Sequence, residues 1–338
     1  MSHPIADALS QAVGALRADD DMKALLDQHG ELTDKHIEDL DVATARQQPT
    51  IADAVKALLA ARGQSSDPAT LVPGITSRDI AIPGPGGSLP ARVYTPVGAG
   101  PFPLVVYFHG GGWVIADKDV YDGGARGLSR EANAVVVSVD YRQAPEHKFP
   151  AAWDDALAAF RWVGENAQSL NGIPTRLALA GESAGGNLAL ATAIAARDTG
   201  LAYQPCHVLA VYPVTQTSLN TESYLENAIA KPLNRAMVKW FVDNLVNSEA
   251  DLKDTRLQLI EADLTGLPAV TLVNADIDPL RSDGSKIEDA LRKARVPVER
   301  RNFDGVTHEF FGTAAVVAKA REAQAWAGDR LLEAFAGG

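Results

Sequence analysis

The chain has 338 residues, 46% of them hydrophobic and 22% charged, with a formal net charge of −12. This is an ordinary globular composition, and a chain of this length buries about three quarters of its unfolded surface, so it needs no staple to fold. The acidic balance argues against nucleic acid and anionic membrane surfaces as partners, and the single cysteine, Cys206, excludes an intrachain disulfide and fits a reducing compartment.

Taken in order, the chain starts MSHPIADALSQAVGALRADDD. This stretch has no basic start and no long apolar core, so a cytoplasmic protein without a signal peptide is expected. Residues 1 to about 75 read as helical. Ile5, Leu9, Val13 and Leu16 share one face at helical spacing, as do Ile51, Val55, Leu58 and Leu59. Such faces must pack on something, and a helical flap over the rest of the fold is expected. The Pro/Gly cluster at 83–87 marks a turn between two short strands, 79–82 and 91–94.

After a loop at 96–103, strands and helices alternate. Strands are predicted at 104–108, 134–139, 177–180, 208–211, 270–274 and 298–302. Helices are predicted near 123–132, 151–166, 184–197 and 285–294, with a last one over about 313–334. Apolar runs such as Val135-Val136-Val137 point to strands buried on both faces, hence a parallel sheet covered by helices. The stretch 215–265 breaks the alternation and carries one predicted helix, 235–246. It reads as an insertion that forms a lid with the N-terminal flap. The longest apolar run, 188–196, is far short of the ~20 residues of a membrane span, and Cys206 reads as a small core residue.

Two motifs carry chemistry. Gly181-Glu182-Ser183-Ala184-Gly185 lies between an apolar strand and a helix. There a serine sits on a strained turn with its hydroxyl exposed, and the following helix aims free N–H groups and partial positive charge at the reacting centre. His109-Gly110-Gly111-Gly112-Trp113 directly follows the strand at 104–108. Glycines let backbone N–H groups turn into a pocket, which acyl transfer needs where a carbonyl oxygen gains negative charge. Neither a phosphate-binding G-x-x-x-x-G-K-[ST] nor a helix-opening G-x-G-x-x-G is present.

In this elbow arrangement the nucleophile is followed by an acid and then a histidine. Of seven histidines, only His308 follows both Ser183 and a suitable acid loop. His109 precedes the serine and reads as a loop-holding residue. The acid should follow the strand at 270–274, where Asp276, Asp278 and Asp283 all qualify and the pattern does not separate them. Trp113, Tyr212, Trp240 and Phe311 read equally as pocket or core aromatics. No H-E-x-x-H or clustered His/Cys pattern points to a metal.

The segments His109 to Trp113, Gly181 to Gly186, Asp278-Pro279-Leu280-Arg281, the loop around His308, and Asp140-Tyr141-Arg142-Gln143-Ala144-Pro145-Glu146-His147 together resemble the hormone-sensitive-lipase-like (family IV) esterases of the α/β-hydrolase fold. The resemblance implies a mostly parallel central sheet with helices on both faces and a helical cap. It implies Ser183 as nucleophile, Asp278 rather than Asp276 as acid, and His308 as base. The backbone N–H groups of Gly111, Gly112 and Ala184 would be the oxyanion donors, and no metal or organic cofactor is implied. The organisation expected is an N-terminal cap segment at 1–75, the two parts of the catalytic domain at 76–214 and 266–338, and an inserted cap segment at 215–265. The expected substrate is a small-molecule ester with a short- to medium-chain acyl group. The alternatives are amides, lactones and long-chain lipids, or a non-catalytic receptor like the plant gibberellin receptors, which lack the catalytic histidine. Pairing through a sheet edge, common among relatives, makes a homodimer an open expectation. The chain departs from the family pattern at Glu182, where Asp is common, at Gln143 and Lys148, and in Ser282-Asp283-Gly284.

Overall fold

The computed structural model describes residues 17–337. The expected helical face of Ile5, Leu9, Val13 and Leu16 therefore lies outside the described residues.

Eight strands form one sheet in the order β1-β2-β4-β3-β5-β6-β7-β8. Strands β1 (Ile75–Gly84) and β2 (Gly87–Pro96) make a hairpin around the Pro/Gly turn, and both β1–β2 and β2–β4 pair antiparallel. The other strands are β3 (Phe102–Phe108), β4 (Val135–Val139), β5 (Gly172–Glu182), β6 (Val208–Val211), β7 (Val270–Ile277) and β8 (Val298–Thr307), and these pair in parallel. This is the mostly parallel sheet expected from the apolar runs, in the α/β-hydrolase form that the resemblance implies. Strands β5, β7 and β8 run past the predicted ends because hydrogen-bonded pairing carries polar residues such as Glu182, Asp276 and Thr307 into the ladder, where apolar pattern gives no signal.

The sheet is covered on both faces, and its strands divide their side chains accordingly. Leu104, Val106, Phe108, Val135, Val137 and Val139 face one core, while Val105, Tyr107 and Val136 face the other. Helices α4 (Ala151–Glu165), α5 (Ala184–Asp198) and α7 (Arg281–Lys293) contribute Phe160, Leu188 and Ile287 to the first core. Helices α3 (Asp122–Glu131) and α8 (Ala318–Ala336) contribute Leu128 and Leu331 to the second. The side chains of β3 and β4 thus leave water whichever way they point, so these strands are almost continuously apolar instead of alternating.

Before β1 come α1 (Asp20–Leu32) and α2 (Ile51–Ala61). The buried Met22 and Leu25 of α1 join Ile51, Val55 and Leu59 of α2 in the core that holds Val306, Phe310 and Phe311. Helix α2 opens with a capping box: Thr50 Oγ1 accepts the Asp53 N–H at 3.2 Å, and Asp53 accepts the Thr50 N–H at 2.9 Å. Between β6 and β7, the stretch 215–265 carries a short helix, Glu222–Glu226, and helix α6 (Arg235–Leu245). No helix among the described residues is long and apolar enough to cross a membrane.

Candidate active site

Ser183 lies at the β5–α5 turn with φ +58° and ψ −117°. A residue with a Cβ pays for this conformation, and the surroundings enforce it. The Ser183 N–H donates to Val211 O at 2.9 Å, and its carbonyl accepts from Asn187 N at 3.1 Å. Asn187, fully buried, donates to Val214 O and Arg256 O and accepts from the Trp153 indole. The start of α5 passes so close to the end of β3 that a Cβ on Gly185 would run into the carbonyls of Phe108 and His109. Glycine at 185 is therefore a packing requirement as well as a turn residue.

Close packing brings the two sequence motifs together. A Cβ on Gly110 would lie 3.1 Å from Glu182 O. Gly111 and Gly112 have φ of +95° and +59°, values that admit glycine readily and other residues poorly. Among the described residues, the N–H groups of Gly111, Gly112 and Ala184 donate no hydrogen bond. His109 holds this loop: its Nδ1 sits 2.7 Å from Gly110 O and its ring stacks on Tyr141 at 4.4 Å. The Tyr141 hydroxyl donates to His109 O at 2.8 Å, and burial pushes the His109 imidazole towards its neutral form.

His308 follows β8. Its Nε2 lies 2.9 Å from Ser183 Oγ and its Nδ1 lies 2.8 Å from Asp278 Oδ2. Ser183, His308 and Asp278 are 6%, 3% and 0% exposed. Burial opposes a charge on the imidazole, but the charge and hydrogen bond of Asp278, with Glu309 and Glu182 nearby, outweigh it and raise the His308 pKa above its ordinary value.

The three aspartates that pattern could not separate point in different directions. Asp276 faces outward to Arg17 and Arg281, at 2.8 and 3.0 Å. Asp283 turns into the protein, accepting from Thr215 N at 3.0 Å and from Gln216 at 3.3 Å, with burial pushing its carboxyl up to about 7. Asp278 faces His308, and its other oxygen accepts the Leu280 N–H at 2.8 Å.

The inserted stretch holds this acid loop: Ser223 Oγ donates to Pro279 O at 2.5 Å, and Asn227 donates to Asp278 O at 3.2 Å. Nothing in the sequence spacing marks Ser223 or Asn227. Among the four aromatics singled out from sequence, Trp113, Tyr212 and Phe311 are buried. Trp240 is half-buried, and its indole donates to Leu40 O at 3.2 Å.

Two cavities lie near the site; their walls reach His109, Glu182 and Glu309 but not Ser183, His308 or Asp278. One, of about 440 Å³, lies between the N-terminal segment and the inserted stretch, with Ile37, Arg46, His109, Met237 and Glu309 on its walls. The other, of about 500 Å³, lies behind it against Ile51, Val55, Tyr121, Glu182 and Glu309. Glu309, next to His308, lines both.

The arrangement can pass a proton from a hydroxyl to an imidazole backed by a carboxylate, beside backbone N–H groups without partners. A family model described as the alpha/beta hydrolase fold matches residues 105–312. The chain is 42% identical over 283 residues to carboxylesterase NlhH of Mycobacterium tuberculosis, covering 81% of this chain and 88% of that one. It is 34% identical over 255 residues to an ethyl acetate hydrolase of Pseudomonas putida, covering 73% and 77%. Among solved structures, an esterase of Pyrobaculum calidifontis superposes with a TM-score of 0.80 at 34% identity, over 90% of this chain and 97% of that one.

Proposed function

The chain belongs to the hormone-sensitive-lipase-like (family IV) carboxylesterases of the α/β-hydrolase fold, and from that premise we propose that it cleaves short- to medium-chain acyl esters through a Ser183–His308–Asp278 triad and an acyl-enzyme. The observation that carries the reading is the continuous chain from Ser183 Oγ to His308 Nε2 and from His308 Nδ1 to Asp278, at 2.9 and 2.8 Å.

In the first half-reaction Ser183 Oγ attacks the ester carbonyl while His308 Nε2 takes its proton. The carbonyl oxygen becomes an oxyanion held by the N–H groups of Gly111, Gly112 and Ala184. His308 returns the proton to the departing alkoxide, and the alcohol leaves. Water, deprotonated by the same imidazole, then attacks the acyl-enzyme; the acyl–Oγ bond breaks as His308 returns the proton to Ser183 Oγ, and the acid leaves. Asp278 keeps the proton of neutral His308 on Nδ1 and stabilises the imidazolium without becoming protonated itself.

Residues 1–75 and 215–265 are read as the cap. Both line the cavity of about 440 Å³, which supports their role in selecting substrate. A relative named as an ethyl acetate hydrolase supports short to medium acyl groups over long-chain lipids. The test is hydrolysis of p-nitrophenyl esters from acetyl to palmitoyl by the native protein and by Ser183→Ala. A serine-dependent optimum at short or medium chains is expected. An optimum at palmitoyl would overturn the chain-length reading, and activity that survives Ser183→Ala would overturn the triad.

A further inference from the structure

Two carboxylates beside the reacting serine have no part in that chemistry: Glu182, which precedes it, and Glu309, which follows the histidine. Glu182 is fully buried. Its Oε1 accepts the hydroxyl of Tyr107 and its Oε2 the hydroxyl of Tyr212. Among the described residues no lysine or arginine donates to it, although buried carboxylates ordinarily find a cation. Burial pushes its carboxyl up to about 7 against the pull of the two phenols, with Glu309 pushing the same way and His308 opposing.

The two phenols lead to the two halves of the site. Tyr107 is the next-to-last residue of β3, just before the loop of Gly111 and Gly112. Tyr212 follows β6 and lays its ring against the His308 imidazole, with centroids 4.4 Å apart and planes at 47°. Its backbone has φ +34°, a strained value for a residue with a large side chain. Strain of this kind persists where the surroundings over-determine it, which is common in active sites. One carboxylate thus ties the oxyanion strand, the nucleophile strand and the ring that backs the imidazole.

Of the other groups that face Glu182, only His308 brings positive charge. The loop after β8 brings His308 and Glu309, and Glu309 accepts the Tyr121 hydroxyl at 3.2 Å. Helix α3 presents Gly124, where a Cβ would lie 2.7 Å from the Tyr107 hydroxyl. Arg126, two residues on, is held by Asp122 at 2.8 Å. An aspartate at 182 would be one methylene short and could not bond both phenols without a shift of the strands.

Resting on the Ser183–His308–Asp278 reading, we infer that Glu182 is a positioning residue of the ester hydrolysis: through Tyr212 it fixes one face of the His308 imidazole, and its charge favours the imidazolium formed when Ser183 gives up its proton. Above about pH 7, where the carboxyl is ionised, its field at this depth is poorly screened and reaches the imidazole without touching it.

Glu182→Gln separates charge from shape, because the carboxamide still bonds both phenols once one hydroxyl turns. Tyr212→Phe keeps the ring on His308 and removes the tether. Hydrolysis of p-nitrophenyl acetate would be followed across about pH 5 to 9, with Ser183→Ala as control and thermal unfolding to check folding. Glu182→Gln should lower kcat about tenfold with little change in KM, and move the acid limb of kcat/KM down by about half a pH unit. Tyr212→Phe should lower kcat by a smaller factor. A folded Glu182→Gln enzyme with native kcat and an unmoved acid limb overturns the inference. So does native kcat in Tyr212→Phe, which decides the matter if the glutamine variant does not fold. Persistent activity in Ser183→Ala instead overturns the triad itself, and the inference with it.

Discussion

The carboxyl edge of the sheet and the helical layer over it are held together by different forces. Along the edge, β3, β5, β6, β7 and β8 are adjacent, and their ladders set the spacing: Phe108 pairs with Gly181, Glu182 with Val211, and Ile277 with Thr307. Every residue of the proposed triad and oxyanion hole stands at or just past one of these strand ends. The layer above is held largely by side chains. Arg46 reaches Val114 O, Ala144 O and Glu146, Asn234 reaches Glu38, and Arg17 joins Glu226 and Asp276. Backbone ladders and close glycine contacts allow little drift, which suits chemistry that tolerates errors of well under an ångström. Side-chain ties on a surface layer are individually weak and can be exchanged without loss of the fold. Ser223 and Asn227 are the exception, because they reach from the layer to clamp the acid loop.

Substitutions at the edge should therefore destroy turnover, and those in the layer should retune it. Ser183→Ala should cost about 10⁶-fold in kcat with an unchanged unfolding midpoint, measured by burst-free p-nitrophenyl acetate hydrolysis. Asp278→Asn should cost about 10⁴-fold, because the imidazole loses its anionic partner and its tautomer; a loss under tenfold would point to another acid. Gly111→Ala puts a Cβ against the Ile115 carbonyl at a φ of +95°, so the loop must shift. A loss of about 10²–10³ in kcat, with KM nearly constant, is expected.

The raised His308 pKa sets the direction of the pH dependence. The base must be neutral to accept the serine proton, so kcat/KM should fall about tenfold per unit as pH drops below an acid limb lying above about 6.5. A limb well below that value would mean that Asp278 does not carry its charge beside the ring. The smallest effect on turnover belongs to the layer: Arg46→Ala removes an ion pair with Glu146 together with hydrogen bonds to the Val114 and Ala144 carbonyls, and should lower stability by about 1–3 kcal/mol in chemical denaturation. Because Arg46 lines the cavity, KM across the ester series should shift more than kcat. A collapse of kcat would show that the layer is part of the catalytic frame.

Apolar runs identified the central parts of β3, β4, β5, β6 and β7, because a strand buried on both faces must be apolar at every position; β1, β2 and β8 carry exposed polar positions and no such run. The alternation of those runs with helical patterns carried the fold class. The serine elbow and the glycine loop were legible for a related reason: only small residues fit where α5 passes beneath β3, so the constraint is written as glycine. Ser183 and His308 followed from motif and chain order. The acid did not, since Asp276, Asp278 and Asp283 all lie within eight residues and each has a suitable side chain.

The resemblance pointed to Asp278, but the residues alone could not. The direction of each carboxylate depends on distant partners: Arg17 and Arg281 for Asp276, Thr215 and Gln216 for Asp283, His308 for Asp278. Glu182 stood out in the sequence only as a departure from a family habit; its two phenols come from strands 75 residues before it and 30 after it. Local sequence thus determined the elements, their burial and the small residues at close approaches, because period and volume are properties of neighbours along the chain. Which acid meets the imidazole, what Glu182 holds, and which side chains line the cavities were decided by the tertiary structure, because those contacts join residues that only the ladder order of the sheet brings together.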